Sequence, residues 1–340
     1  MSSNFPIFQA NEIVLTEIIL LMNPKDIVSL SLCSKRTNIL VKTYRLKKSP
    51  ALQLNMIEEP CPRAILWHIS SVIYFYNVLG VAFISELNSE DAEMVKIGRH
   101  QVPIAFDKER EMLKTYWDDR VLGLKTIIDY VSDLFSLDVV RLNLRKTSFW
   151  MLDWIKTRQC VPINHIHIET DETFNDEEFS YMLRNCHPSK ILGIYASAPE
   201  DFCYTERIAD VETISISAGH WVTIDNLLAM DCIEITVWNA AKLTNREINR
   251  FLKNWLSGGS PRLEFLNIET ETIDRVEILG NGLEEMVKEI QEVQTYQRGV
   301  YGRFLVFEDG YSIQRHDGVK ATIKFFPARF YMAVWKNEFM

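Results

Sequence analysis

Six short segments in the second half of the chain alternate apolar and polar residues and return at nearly constant spacing. They are VVRLNL (139–144), NHIHIE (164–169), KILGIY (190–195), VETISIS (211–217), CIEITV (232–237) and RLEFLNI (262–268). Their starts lie 25, 26, 21, 21 and 30 residues apart. Alternation of period two marks strands, with successive side chains on opposite faces. Helical patterns fill most of the gaps. Thr244 and Glu247 form a T-x-x-E cap before Ile248, Phe251, Leu252, Trp255 and Leu256, a full apolar helix face. Asn175 and Glu178 repeat that cap before Phe179, Met182 and Leu183. A strand then a helix, repeated every 20–30 residues, predicts an α/β solenoid over residues 138–270. An open parallel sheet in a general α/β domain fits the same pattern and stays open as the alternative.

Leu263-x-x-Leu266-x-Ile268 matches the L-x-x-L-x-L core of leucine-rich repeats. On that register Leu142, Leu144, Ile166, Ile168, Leu192, Ile194, Ile214, Ile216, Ile235, Val237, Leu266 and Ile268 fill the core. The outward rows between them are mostly polar, and Arg141, Arg145, His165, His167, Tyr195, Trp238 and Phe265 are the members expected to contact a partner. Exposed aromatics are common interface anchors, so Trp238 and Phe265 stand out, with burial under the C-terminal segment as the other reading.

The N-terminus reads differently. Residues 12–22 form a helix pattern in which only Glu12, Thr16 and Glu17 are polar. Val14, Ile18 and Met22 make one row, and Leu15 and Ile19 another. Asn23 caps a second helix that begins with Pro24 and carries Asp26 in its first turn. Ser34 is placed to cap a third, with Lys35, Arg36, Ile39 and Leu40. Three short helices in about 40 residues sit at the lower limit for a hydrophobic core. A helix with two apolar faces then has one for its own core and one for a partner, or for the rest of the same chain. A helix-turn-helix reader of nucleic acid also fits three short helices, but its exposed recognition helix should not be this apolar.

These residues resemble an F-box. Val14, Leu15, Ile18, Ile19 and Met22 stand at the apolar positions of its first helix, Asp26-Ile27 at its Asp-Leu, and Leu30 at the next apolar site. Cys33-Ser34-Lys35-Arg36 stands at the entry to its third helix, which Leu40 closes. The usual Leu-Pro is Ala10-Asn11, with Phe5-Pro6 slightly earlier, and the usual Trp is Thr37. The resemblance implies that Pro6, Val14, Leu15, Ile18, Ile19, Met22, Ile27, Leu30, Cys33 and Arg36 bind a Skp-type adaptor, with affinity lowered by the two departures.

A second resemblance lies downstream. Residues 222–269 look like the type-2 F-box-associated region, through Leu227-Leu228, the strand at 233–237, Leu243-Thr244, Phe251-Leu252-x-x-Trp255 and Ser260-Pro261-Arg262-Leu263. Together the two imply the substrate-recognition subunit of a Skp–cullin–F-box E3 ubiquitin ligase. Such a subunit is non-catalytic and needs no cofactor. Its partners are the adaptor, through it the cullin and RING subunits, and an unidentified protein substrate. It supplies proximity. The alternative is a repeat-type interaction scaffold that recruits no cullin.

The expected fold class is α/β: a three-helix F-box (1–46), a linker region (47–137), the leucine-rich-repeat-like region (138–270, its F-box-associated part from about 205) and a C-terminal helix with an antiparallel β cap (271–340). Within the linker, Leu52–Ile57 and the apolar run from Ser71 to Ile84 read as strand, and residues 108–135 as helix. In the cap, a helix is expected over 283–293, then strands at 302–308, 311–317 and 321–326 with Asp309-Gly310 and Asp317-Gly318 turns.

Composition removes several function classes. No apolar run reaches the ~18 residues that span a bilayer, and the N-terminus has no signal-peptide pattern. Six cysteines (33, 61, 160, 186, 203 and 232) show no C-x-x-C, and no N-x-S/T sequon occurs, so reduced thiols in the cytoplasm or nucleus are expected. Lys25, Lys35, Arg36, Lys42, Arg45, Lys47 and Lys48 against Glu12, Glu17 and Asp26 give residues 1–50 a charge of +4, which leaves −13 on residues 51–340 of a chain at −9. So acidic a body is a poor ligand for nucleic acid. There is no G-x-S-x-G, P-loop or H-E-x-x-H motif. His165 and His167 share a strand face near Glu169, a pattern read as solvated imidazoles rather than a metal grip.

Overall fold

The computed structural model describes residues 9–44, 52–58, 61–68, 75–88, 92–208, 210–280, 282–299 and 304–335. They divide into two compact units, one of residues 1–143 with 155–161 and one of residues 144–154 with 162–340.

In the N-terminal unit, Asn11 takes the N-cap of helix α1 (Glu12–Leu21), its side-chain oxygen accepting the Val14 N–H at 2.9 Å. Asn23 does the same for α2 (Pro24–Cys33), accepting from Asp26 N–H at 3.0 Å. Ser34 caps α3 (Lys35–Tyr44) through Thr37 N–H. Leu15 and Ile19 on α1 pack against Leu40, with Ala10 and Tyr44 beside them.

Strands β1 (Leu52–Ile57), β2 (Arg63–His68), β3 (Phe75–Phe83), β4 (Glu93–Ile97), β5 (His100–Asp107) and β6 (Met112–Trp117) follow, then α4 (Arg120–Phe135) and β7 (Val139–Leu144). They form a mixed sheet ordered β7-β1-β2-β3-β6-β5-β4, in which β1–β7 and β3–β6 are parallel. Leu124, Ile127, Ile128, Val131 and Leu134 make the fully buried face of α4. Gly123 lets α4 approach closely, since a Cβ there would stand 2.7 Å from the Trp117 ring. The single helix expected over 108–135 is therefore wrong as far as Asp119. Leu113, Tyr116 and Trp117 belong to β6, and the helix starts only where Asp119 accepts the N–H groups of Val121 and Leu122 at 2.8 and 3.2 Å. The segment read as a linker is thus a sheet with its own covering helix.

Helix α5 (Trp150–Arg158) leads into the C-terminal unit, whose elements are β8 (His165–Ile168), α6 (Asp176–Asn185), β9 (Ile191–Ile194), β10 (Thr213–Ile216), α7 (Ile224–Ala229), β11 (Glu234–Val237), α8 (Asn245–Leu256), β12 (Phe265–Glu269) and α9 (Arg275–Leu279). Strands β8 to β12 run parallel, side by side and in order. Every core position expected from the strand register is at most 2% exposed. The Asn175–Glu178 capping box forms as expected. In α8, Thr244 bonds the Glu247 carboxylate instead of the backbone.

The remaining strands are β13 (Val287–Glu289), β14 (Gln294–Gln297), β15 (Phe304–Phe307), β16 (Tyr311–Gln314), β17 (Lys320–Phe326) and β18 (Arg329–Trp335). β18 pairs antiparallel with β12, and β17, β16 and β13 continue outward. The unit is mixed α/β, with a sheet that changes from parallel to antiparallel at β12. The helix expected over 283–293 is absent: one 3-10 turn (Glu284–Met286) precedes β13, whose residues pair with β16. β14 and β15 form a separate two-stranded ribbon.

Candidate functional site

Two surfaces carry the residues singled out from the sequence. The first is helix α1. Among its residues Leu15 and Ile19 turn inward, and Ile19 is 1% exposed. Ile27 on α2 is buried as well. Those three, expected at the adaptor, are core residues of this unit. Ile18, Met22 and Leu30 are half-buried, Val14, Cys33 and Arg36 are exposed, and Pro6 lies outside the described residues.

The outward face of α1 is a different set. Ile13 is 76% exposed and Leu21 84%, with Val14, Leu20 and the carboxylate of Glu17 between them. Positions 13, 17, 20 and 21 share one side of a helix of 3.6 residues per turn. That spacing, opposite the Leu15–Ile19 row, was the available signal for residues the sequence reading missed. Leu20, Leu21 and Met22 continue into a cleft of about 320 Å³ whose other walls include Tyr76 and Phe135. Ile39, on α3, is also exposed.

A hydrogen-bonded post fixes α2 and α3. The Tyr130 hydroxyl of α4 lies 2.6 Å from Ser31 Oγ and accepts from Asn38 Nδ2 at 3.0 Å. Ser31 gives its own proton to Val28 O at 2.7 Å, so Tyr130 is the donor to Ser31. Lys42 pairs with Asp133 on the same helix, and Lys25 with Glu111 at 3.6 Å.

The second surface is the polar face of the parallel strands. In the C-terminal unit Arg145, His165, His167, Tyr195 and Trp238 are half-buried; Arg141, also half-buried, belongs to the N-terminal unit. In the N-terminal unit, the Arg141 guanidinium sits 4.9 Å over the Trp67 ring. In the C-terminal unit, the rings of His167 and Tyr195 lie parallel within 4°, centroids 6.0 Å apart. Gly193 makes that arrangement possible, since a Cβ there would stand 2.7 Å from the Tyr195 ring and 2.9 Å from His167 Nδ1.

Phe265 corrects the expectation of an exposed aromatic pair. It is fully buried, stacked on Tyr296 at 5.3 Å and capped by the Arg298 guanidinium at 4.8 Å. The β14–β15 ribbon causes this, packing Tyr296 and Phe307 on Phe265 and Ala333. Polar neighbours are covered too: Thr213, Ser215, Glu234, Thr236 and Asn267 are all at most 5% exposed. The buried Glu234 carboxylate accepts from Gly299 N–H at 2.8 Å and faces Arg298 Nε at 3.5 Å, and Arg298 also donates to Thr236. Burial in this cluster, together with the Glu234 charge, pushes the Tyr296 phenol far above its usual range. Outward residues of β11 and β12 thus form a floor for the C-terminal ribbon and the residues that follow its first strand.

Helix α1, and of the second surface Trp238 and Phe265, fall within regions that match known families. Residues 11–49 match the family described as F-box domain, and residues 205–268 the family described as F-box associated. The Skn-1 dependent zygotic transcript 15 protein of Caenorhabditis elegans is 25% identical over 355 residues, an alignment spanning 97% of this chain and 98% of that protein. No solved structure matches the chain. The chain carries an F-box domain near its N-terminus and an F-box-associated domain in its C-terminal half, the pair and the order expected from its residues.

Proposed function

We propose that this protein is the substrate-recognition subunit of a Skp–cullin–F-box ubiquitin ligase. The observation that carries the reading is the outward row of α1, with Ile13 and Leu21 the most exposed of its large apolar side chains, inside a segment that matches the F-box domain. F-box domains generally bind Skp-type adaptors, and large apolar side chains held in water are the usual mark of such a docking face. The adaptor brings the cullin and RING subunits. The C-terminal unit captures a protein substrate, on the leucine-rich-repeat-like face read from its parallel strands, where His165, His167, Tyr195 and Trp238 are half-buried. The chain contributes proximity and no catalytic group, and it works in the cytoplasm or nucleus.

Reconstitution tests this. The purified protein mixed with adaptor, cullin and RING subunits elutes from a sizing column as one four-part complex. Elution with the adaptor alone makes the protein a scaffold outside the ligase, and elution by itself removes the docking assignment.

A further inference from the structure

A small cleft of about 170 Å³ in the N-terminal unit is lined by Arg110, Lys114 and Arg120 against one carboxylate, Glu86, with the buried Cys61 in its wall. The cations come from separate places: the turn after β5, the middle of β6 and the first residue of α4. Lys114 Nζ lies 2.9 Å from Asp107 Oδ2, and Arg110 Nη1 reaches the same oxygen at 3.6 Å. Arg110 Nη1 also pairs with the exposed carboxylate of Glu109 at 3.2 Å, so Asp107 and Glu109 together face these two cations. Arg120 stands 5.0 Å over the Phe83 ring, a contact that holds a guanidinium in place and leaves its charge intact. Glu86 is turned to the backbone, accepting Phe83 N–H at 3.1 Å.

Arg63 adds a fourth positive group on neighbouring β2. Burial pulls its guanidinium below the usual value; Cys61 opposes this, and the like charge of Arg110 adds to it. A positive recess is out of character for residues 51–340, which sum to −13. Guanidinium forks and an ammonium converging on one small volume are the donor set that suits a tetrahedral oxyanion.

We propose that this cleft binds a phosphate dianion, free or as a phosphomonoester, with Arg110, Lys114 and Arg120 as its ligands. At neutral pH a phosphomonoester carries about −1.5 to −2 charges and three acceptor oxygens, which suit the three cationic donors that line the cleft. The site stands apart from the outward face of α1, so it is tested on the full chain alone and holds whether or not an adaptor docks.

The experiment is a calorimetric titration of the full chain with sodium phosphate and, separately, with N-acetyl-O-phosphoserine amide, ionic strength being held constant with sodium chloride. One-to-one saturable binding is expected. Arg120→Gln weakens it about tenfold or more, the worth of one hydrogen bond to a charged group, while Arg120→Lys keeps most of it. Tighter inorganic phosphate marks a site for the free ion, and tighter phosphoserine amide a site for a phosphorylated side chain. Thermal melts without ligand check that each variant is folded, and Arg110→Gln replaces Arg120→Gln if the latter is not. The proposal fails if neither probe saturates, or if the folded glutamine variants bind as wild type does.

Discussion

Tyr130 donates its hydroxyl proton to Ser31 across 2.6 Å and accepts from Asn38 on the next helix, so one side chain of α4 holds two helices of the F-box region. The bond is polar but largely enclosed, and burial pushes the phenol above its usual pKa despite the hydrogen bonds to Ser31 and Asn38. A neutral donor here is stable across the physiological range.

Tyr130→Phe keeps the ring and removes the post. It leaves Asn38 and Ser31 without that partner, which costs about 1–3 kcal/mol. Urea unfolding should show an earlier midpoint with an unchanged slope. An unchanged midpoint would mean that the post adds nothing to the apolar packing and ion pairs that hold α2 and α3.

The two faces of α1 separate in a pair of variants. Leu21→Asp, at a position 84% exposed, should leave the thermal melt within a few degrees of wild type and remove adaptor binding. Ile19→Asp places an unpaired carboxylate among Leu15 and Leu40, a change worth several kcal/mol or more that unfolds the small helical core. Circular dichroism beside an adaptor pull-down distinguishes them.

Phe265→Ala should destabilise the C-terminal unit by about 3–5 kcal/mol, the cost of deleting a packed core ring. The loss includes the stacking on Tyr296 and the contact with Arg298. Trp238→Ala, at a half-buried position, should cost clearly less. Equal melts for the two would overturn the floor-and-ribbon arrangement.

Asp107 sets an acid limit. Burial alone would raise its carboxyl, but the Lys114 ammonium and the N–H groups of Arg110 and Glu109 outweigh it and hold the pKa below the ordinary value. A depressed folded pKa stabilises above the unfolded value, about 3.9, and the contribution fades as pH falls through the lower folded one. Asp107→Asn should therefore unfold in less urea than wild type at pH 7, with the gap narrowing below about pH 4.

What was legible in the residues follows from how local each signal is. The six strands between Val139 and Glu269 and the caps at Asn23, Ser34 and Asn175 depend on period and on side chains a few residues apart, and they stand where expected. Phe265 was misread because its burial depends on Tyr296 and Phe307, which reach it only through the tertiary fold. On α1 both faces are apolar, so hydrophobicity alone gave no way to decide that Leu15 faces inward and Ile13 outward. The pattern at Leu113, Tyr116 and Trp117 fits helix and strand equally, and the Asp119 cap was the overlooked arbiter.

The antiparallel closure of β12 by β18 has a consequence for synthesis. Strands β8 to β12 can assemble in the order in which they leave the ribosome, each beside the last. β12 cannot finish that way, because its outer edge waits for residues 329–335. At about 5–20 residues per second the nascent chain spends several seconds with Phe265 uncovered and one edge of its sheet unpaired. A nonsense codon between β15 and β18 would leave that edge of β12 permanently unpaired, a sticky product for chaperones and proteases.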